Sequence, residues 1–290
     1  MRTFINRFPL LAYFGLAYAL TWSLAVPLLL SKRGVIDLHV PHGLEAVAAF
    51  GPCAAALIVL GVTQGRAGIA ALGRSLQRWR VPLVWLLFAL LSPLAVLVTA
   101  LLARGSLSAL YNGELWGALA GGALLELVII GGLAQGFGEE PGWRGFALPQ
   151  LRSRRGPLLA TLILFPVWLF WHLPMFLSRP EFDVGAFFGF AAGIFSAAVW
   201  CTAIYDATRS VLLAALWHAL INIARGMAMA VSTAAFLAFG QMVLAVALGF
   251  VVFWLVRRPG PYAAAGSDVI MARHTETLMT GTRHEPGTGS

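Results

Sequence analysis

Apolar runs of about twenty residues recur along almost the whole chain, and charged residues fall mainly in the short gaps between them. A helical run of that length matches the hydrocarbon core of a bilayer. Open sheets and bare loops leave backbone groups there that nothing can satisfy, so helices are what such a chain folds into. The runs are expected at 9–30, 44–62, 81–102, from 115 to the acidic pair at 139 and 140, and at 157–176, 184–205, 210–230 and 236–256. Composition agrees: 59% of residues are hydrophobic and 11% charged, where a soluble domain carries roughly 25% charged residues. The expected fold is an all-α polytopic membrane protein, a bundle of eight transmembrane helices. One domain covers 1–256, with its motif-bearing core at 115–230.

The remaining segments have simpler readings. Residues 64–80 intersperse Arg66, Arg74, Arg78 and Arg80 with Ala and Leu, the pattern of an interfacial amphipathic segment. Gly51-Pro52 is expected to kink the second helix. Residues 257–290 turn polar and rich in Gly, Pro and Thr, the composition of a disordered tail. The first run is long for a signal-peptide core and is expected to stay as the first helix. Cys53 and Cys201 lie within apolar runs and read as small buried hydrophobes, not as a disulfide or thiolate metal site. The net charge of +8 comes from loop residues. It points to topology and anionic lipid headgroups as partners, not to nucleic acid. With the N-terminus inside, fifteen Lys and Arg residues fall on that side and five on the other, which places both termini in the cytoplasm.

Against this background one stretch stands out, GFGEEPGWRGFALPQL from Gly136 to Leu151. It puts Glu139, Glu140 and Arg144 into apolar sequence, where ionised groups cost several kcal/mol or more unless paired or hydrated. Residues 168–174 then carry Trp168, His172 and Pro174, and 216–222 carry His218 and Asn222. His218 and Asn222, four apart, share one helix face. At 1.5 Å per residue, Glu139 lies about 20 Å from the Arg152–Arg155 edge, His172 roughly 25 Å along the fifth helix and His218 roughly 14 Å along the seventh. With tilt, these groups can meet inside the bilayer. Pro141 and Gly142 are expected to break the fourth helix locally. Glu126 is an unassigned charge in the same run, and Asp206 reads as a loop charge near Arg209. The plainer readings are a boundary cluster at a helix mouth, an aromatic belt around His172 and interhelical hydrogen bonds through His218 and Asn222.

Together these groups suit amide hydrolysis. A carboxylate and an imidazole flanking one water can draw off its proton. A second imidazole and an amide N–H on a facing helix can hold the oxygen that becomes negative. Adjacent glutamates point about 100° apart on a helix, so one faces the water and the other steadies it or pairs with Arg144. Glu139, His172 and His218 are also the ligand types of a catalytic zinc site, although no His-Glu-x-x-His helix is present. Zinc is therefore possible but not favoured.

At these residues the chain resembles the CPBP family of intramembrane proteases, which includes the type II CAAX-prenyl endopeptidases and bacterial relatives. The family pattern is Glu-Glu-x-x-x-Arg, Phe-x-x-x-His and His-x-x-x-Asn/Asp. Here it reads Glu139-Glu140 to Arg144, Trp168 to His172 and His218 to Asn222, with Trp168 in place of Phe. That swap is expected to change pocket shape more than mechanism. The resemblance implies that Glu139 and His172 activate the water and that His218 and Asn222 form the oxyanion hole. Glu140, Arg144 and Trp168 would support them, without a catalytic metal. The substrate would be a membrane-anchored protein or peptide, and the Arg- and Ala-rich chain is expected in a bacterial cytoplasmic membrane. A non-enzymatic membrane partner, such as a bacteriocin-immunity or secretion accessory protein, is the rival reading. A transporter would show two matching halves, which the sequence lacks.

Overall fold

The structure, a computed structural model, describes residues 2–38, 43–179 and 183–262. All regular structure among them is helical. Six helices are long and apolar enough to cross a membrane: Pro9–Lys32, Leu44–Thr63, Leu83–Ala103, Val184–Thr208, Val211–Val231 and Thr233–Arg257. Large apolar side chains along two of them, among them Leu91, Leu94, Leu102, Val252, Leu255 and Val256, are more than half exposed, as lipid-facing surfaces require. The chain is an integral membrane protein. A shorter apolar helix spans Pro157–Trp171 and continues, after a break at His172, as Leu173–Leu177.

Prolines sit inside these helices where neighbours repair the backbone. The second helix is interrupted after Ala48 and resumes at Gly51–Thr63. Pro52 cannot donate to the Ala48 carbonyl four residues back, and Thr21 Oγ1 from the first helix donates to it instead, at 2.8 Å. The expected kink is therefore a break sealed by a neighbour. Between 123 and 152 the chain stays helical, but it widens into π turns at Leu127–Ala134 and Trp143–Ala147 on either side of Gln135–Gly142. Pro141 and Gly142 thus do not break the helix, because the wider turns that follow absorb the misfit. Such turns recur at functional sites.

Two ends of the bundle are tied separately. At one end Lys32 pairs with Glu45 at 2.6 Å, and Arg33 donates to the carbonyls of Leu177 and Arg179. At the other, Arg152 pairs with Asp206 at 2.9 Å. Asp206 is accordingly a helical residue in an ion pair, not a loop charge. Tyr262 Oη donates to the same carboxylate at 2.6 Å, its N–H donates to the Arg152 carbonyl, and its ring lies 4.4 Å from the Arg152 guanidinium. Burial and the adjacent Asp206 push the Tyr262 phenol well above its ordinary pKa, so it stays a donor at neutral pH. Residues 258–262 are therefore docked, while the expected disordered tail from 263 to 290 lies outside the described residues. Tyr262→Ala should destabilise the protein by about 1–2 kcal/mol through the lost charge-assisted hydrogen bond and ring contact. Thermal unfolding in detergent measures this.

Candidate active site

The site is built on Gln135–Gly142, a helix whose sequence QGFGEEPG is a poor helix former in isolation. Tertiary packing holds it, and glycine makes that packing possible. A methyl group on Gly136 would collide with the Ala215 carbonyl of helix Val211–Val231, and one on Gly142 with Tyr13 Oη and the Pro52 carbonyl. The helix is thus pressed between two neighbours, and Glu139 and Glu140 are carried into the interior at 1% and 0% exposure.

Around them stands a box of indoles. Trp143, Trp168 and Trp171 are fully buried. Trp143 packs against Trp168, Trp171 and Tyr13 at ring separations of 6.5, 5.9 and 5.6 Å. In so dry a setting a carboxylate needs partners, and the two glutamates have different ones. Glu140 Oε1 accepts from Arg144 Nη1 at 2.8 Å and lies 2.8 Å from His218 Nδ1. Arg144, fully buried, also lays its guanidinium 4.2 Å from the Trp168 ring centroid. Arg144 is therefore part of the site and not one of the charges that mark a membrane edge. Glu139 Oε2 instead accepts from Trp168 Nε1 at 2.6 Å and stands 3.8 Å from His172 Nε2. A phenylalanine at 168 could not make that bond. The substitution relative to the CPBP pattern thus reaches a carboxylate directly, beyond the change of pocket shape expected of it.

His172 is oriented by the break in its own helix. Its N–H donates to the Leu169 carbonyl, three residues back, which leaves the Trp168 carbonyl to accept from His172 Nδ1 at 2.8 Å. A carbonyl only accepts, so Nδ1 carries the hydrogen and the Nε2 lone pair faces Glu139. The His172 side chain is 15% exposed against 1% for Glu139, so the carboxylate is approached past the imidazole. Phe190 and Trp171 flank that imidazole, each with its ring nearly perpendicular to it.

Helix Val211–Val231 starts at Ser210, whose Oγ accepts from Leu213 N and caps it. It delivers His218 and Asn222 to the same interior. Asn222 Nδ2 donates to Gln135 Oε1 at 2.7 Å, which leaves its second amide hydrogen available. Gln135 was not singled out in the sequence, although it lies four residues before Glu139 and so on the same helix face. All seven sequence-selected residues, Glu139, Glu140, Arg144, Trp168, His172, His218 and Asn222, are thus brought together from three segments. Glu126 is not among them: it is exposed at the end of a short helix. Among the described residues no group of three or more His, Cys, Asp or Glu side chains is placed to hold a metal ion. Cys201 is buried and Cys53 half-buried, both as free thiols.

What the arrangement offers chemically is two acceptors, the Glu139 carboxylate and His172 Nε2, facing one spot from which a water can lose a proton. On the other helix are an imidazole held by a carboxylate and an amide with a spare hydrogen. No curated protein matches the chain. Residues 121–224 do match the family model described as type II CAAX prenyl endopeptidase Rce1-like. That segment, which covers less than half of the chain, contains the whole polar cluster, and its likeness to the Rce1-like family supports a membrane peptidase activity of that general type.

Proposed function

We propose that the protein hydrolyses peptide bonds of membrane-associated protein substrates within the bilayer, using Glu139 and His172 to activate water. The observation that carries this reading is the 3.8 Å gap between Glu139 Oε2 and His172 Nε2, with His218 held on the adjacent Glu140 and Asn222 on Gln135 of the same helix. A water donating to both acceptors loses one proton to Glu139 as its oxygen attacks the carbonyl carbon. The carbonyl oxygen becomes an alkoxide, stabilised by hydrogen bonds from His218 and the free amide hydrogen of Asn222. Glu140 Oε1, 2.8 Å from His218 Nδ1, fixes the orientation of that imidazole. The proton on Glu139 then passes to the amide nitrogen, the C–N bond breaks, and an acid and an amine leave. Trp168, Arg144 and Gln135 position these groups.

The same proposal has eight crossings. The six long helices are joined by the widened helical segment 123–152 and by the shorter Pro157–Trp171, which flank the site. An even number puts both termini on one side, and the Arg-rich gaps favour the cytoplasm of a bacterial cell. Residues 115–230 form the catalytic core.

The reading is tested by reconstituting the protein in liposomes with a library of membrane-anchored peptides and mapping products by mass spectrometry. Wild type is expected to cleave with or without a strong chelator, and His172→Ala to lose about a hundredfold or more of the rate. Activity lost to chelator and restored by zinc would replace this mechanism with a metal-dependent one. Equal cleavage by His172→Ala would remove the imidazole from the reaction. If wild type cleaves nothing, the cluster serves packing and the non-enzymatic reading stands.

A further inference from the structure

At the end of the bundle that holds Arg152 and Tyr262, a cavity of about 580 Å³ opens beside the interfacial helix Gly65–Leu76. Its other wall is the turn between helices Val184–Thr208 and Val211–Val231. Arg74, Arg78, Arg80 and Arg209 line it, and no Asp or Glu does. Its walls are fixed by hydrogen bonds and are not merely a collection of surface arginines. Ser75 Oγ donates to the Arg209 carbonyl at 3.1 Å and accepts from Val211 N, and Ser210 Oγ donates to the Arg78 carbonyl.

The charges inside lack local neutralisation. Among the described residues no carboxylate lies within ion-pair distance of Arg74, Arg78 or Arg80. Asp206, at the same end, is held by Arg152 and Tyr262. Arg209 is partly engaged, with its guanidinium 3.2 Å from the Tyr262 ring centroid. Arg209 also sits at a φ of 56°, a left-handed conformation that is unfavourable for a non-glycine residue. The surroundings identify the kind of anion. Trp79, 61% exposed, stands at the rim, and Leu83 and Val84, 65% and 69% exposed, begin a membrane-crossing helix immediately after it. An exposed indole followed by lipid-facing aliphatics marks the headgroup level.

We infer that this cavity binds the phosphate of an anionic phospholipid headgroup, with Arg74, Arg78 and Arg80 as its donors and the acyl chains lying along the start of Leu83–Ala103. Guanidinium forks match phosphate oxygens in geometry and keep their charge at any physiological pH. The inference does not depend on the proteolytic reading, although the two sites are neighbours. Gly145, next to Arg144, forms part of the cavity wall, and Leu72 of the interfacial helix packs so closely on it that a methyl group would not fit. A bound headgroup therefore braces the interfacial helix against the segment that carries the glutamate pair.

The test is native mass spectrometry of the full chain in detergent, titrated with phosphatidylglycerol, phosphatidylcholine of the same chains, or inorganic phosphate. Wild type should retain one phosphatidylglycerol at concentrations where phosphatidylcholine is lost and where inorganic phosphate neither binds nor displaces it. Each arginine contributes about fivefold, so Arg78→Gln should weaken retention about fivefold and the Arg74→Gln/Arg78→Gln/Arg80→Gln triple about a hundredfold. These side chains are exposed, and lipid-free thermal unfolding should be unchanged. Arg154→Gln/Arg155→Gln, at the same end but outside the cavity, should bind as wild type does. Retention by the triple, or by Arg78→Gln should the triple not fold, at the wild-type level would overturn the inference. So would an equal loss in Arg154→Gln/Arg155→Gln, which would reduce the effect to general surface charge. Equal retention of phosphatidylcholine, or displacement by inorganic phosphate, would exclude an anionic headgroup as the occupant.

Discussion

Glu139→Gln is expected to lower peptide cleavage by about a hundred- to ten-thousand-fold, the usual contribution of a positioned general base, and to leave thermal unfolding in detergent close to wild type. The two halves of this expectation come from the same geometry. Glutamine keeps the length of the side chain and an oxygen that can accept from Trp168 Nε1, now at 2.6 Å from Glu139. It loses the ability to take a proton from water. Glu139 has no guanidinium partner, because Arg144 pairs with Glu140, so neutralising it strands no cation. Measured together, rate and unfolding temperature separate chemistry from packing. A Glu139→Gln protein that unfolds like wild type and cleaves like wild type would show that another group deprotonates the water.

The neighbouring carboxylate should behave in the opposite way. Glu140→Ala is expected to destabilise the protein by about 3–5 kcal/mol, because it leaves the Arg144 guanidinium charged and uncompensated in the interior. Both side chains are 0% exposed, so water cannot take over the lost role. Arg144→Ala should cost a similar amount for the mirror-image reason. The pair replaced together, Glu140→Leu with Arg144→Met, should recover most of that loss, since two buried charges and their desolvation cost leave at once. The comparison is read from thermal or denaturant unfolding of the four proteins. Additive losses in the double variant would mean that Glu140 and Arg144 act through separate contacts, for Glu140 through His218. Two adjacent glutamates thus divide into one whose loss removes a reaction and one whose loss removes a fold.

Much of this was legible in the sequence because hydropathy is a one-dimensional signal. The helix expected at 210–230 is found as Val211–Val231, and the one expected at 184–205 as Val184–Thr208. The choice of polar residues was equally legible, since an ionisable group in an apolar run is conspicuous whatever it touches. What misled was position along the chain taken as a proxy for environment. From sequence, Arg144 reads as part of a boundary cluster at a helix mouth and Asp206 as a loop charge, yet both make ion pairs with residues on helices. Local order also hid the outcome at Pro141, where the chain widens its turns and does not break.

By itself, the sequence determined that this chain fills a bilayer with helices and which few side chains must find partners inside it. The cost of bare backbone and lone charge in hydrocarbon leaves no other solution. Only the tertiary structure decided who those partners are. Close packing at Gly136 and Gly142 fixes how the Gln135–Gly142 helix is rotated. That rotation turns Glu140 toward Arg144 and His218, and Glu139 toward Trp168 and His172. The same packing joins Gln135 to Asn222 across 87 residues of sequence. Contacts of that kind depend on distances of a few ångströms between helices far apart in the chain, and no pattern within either helix encodes them.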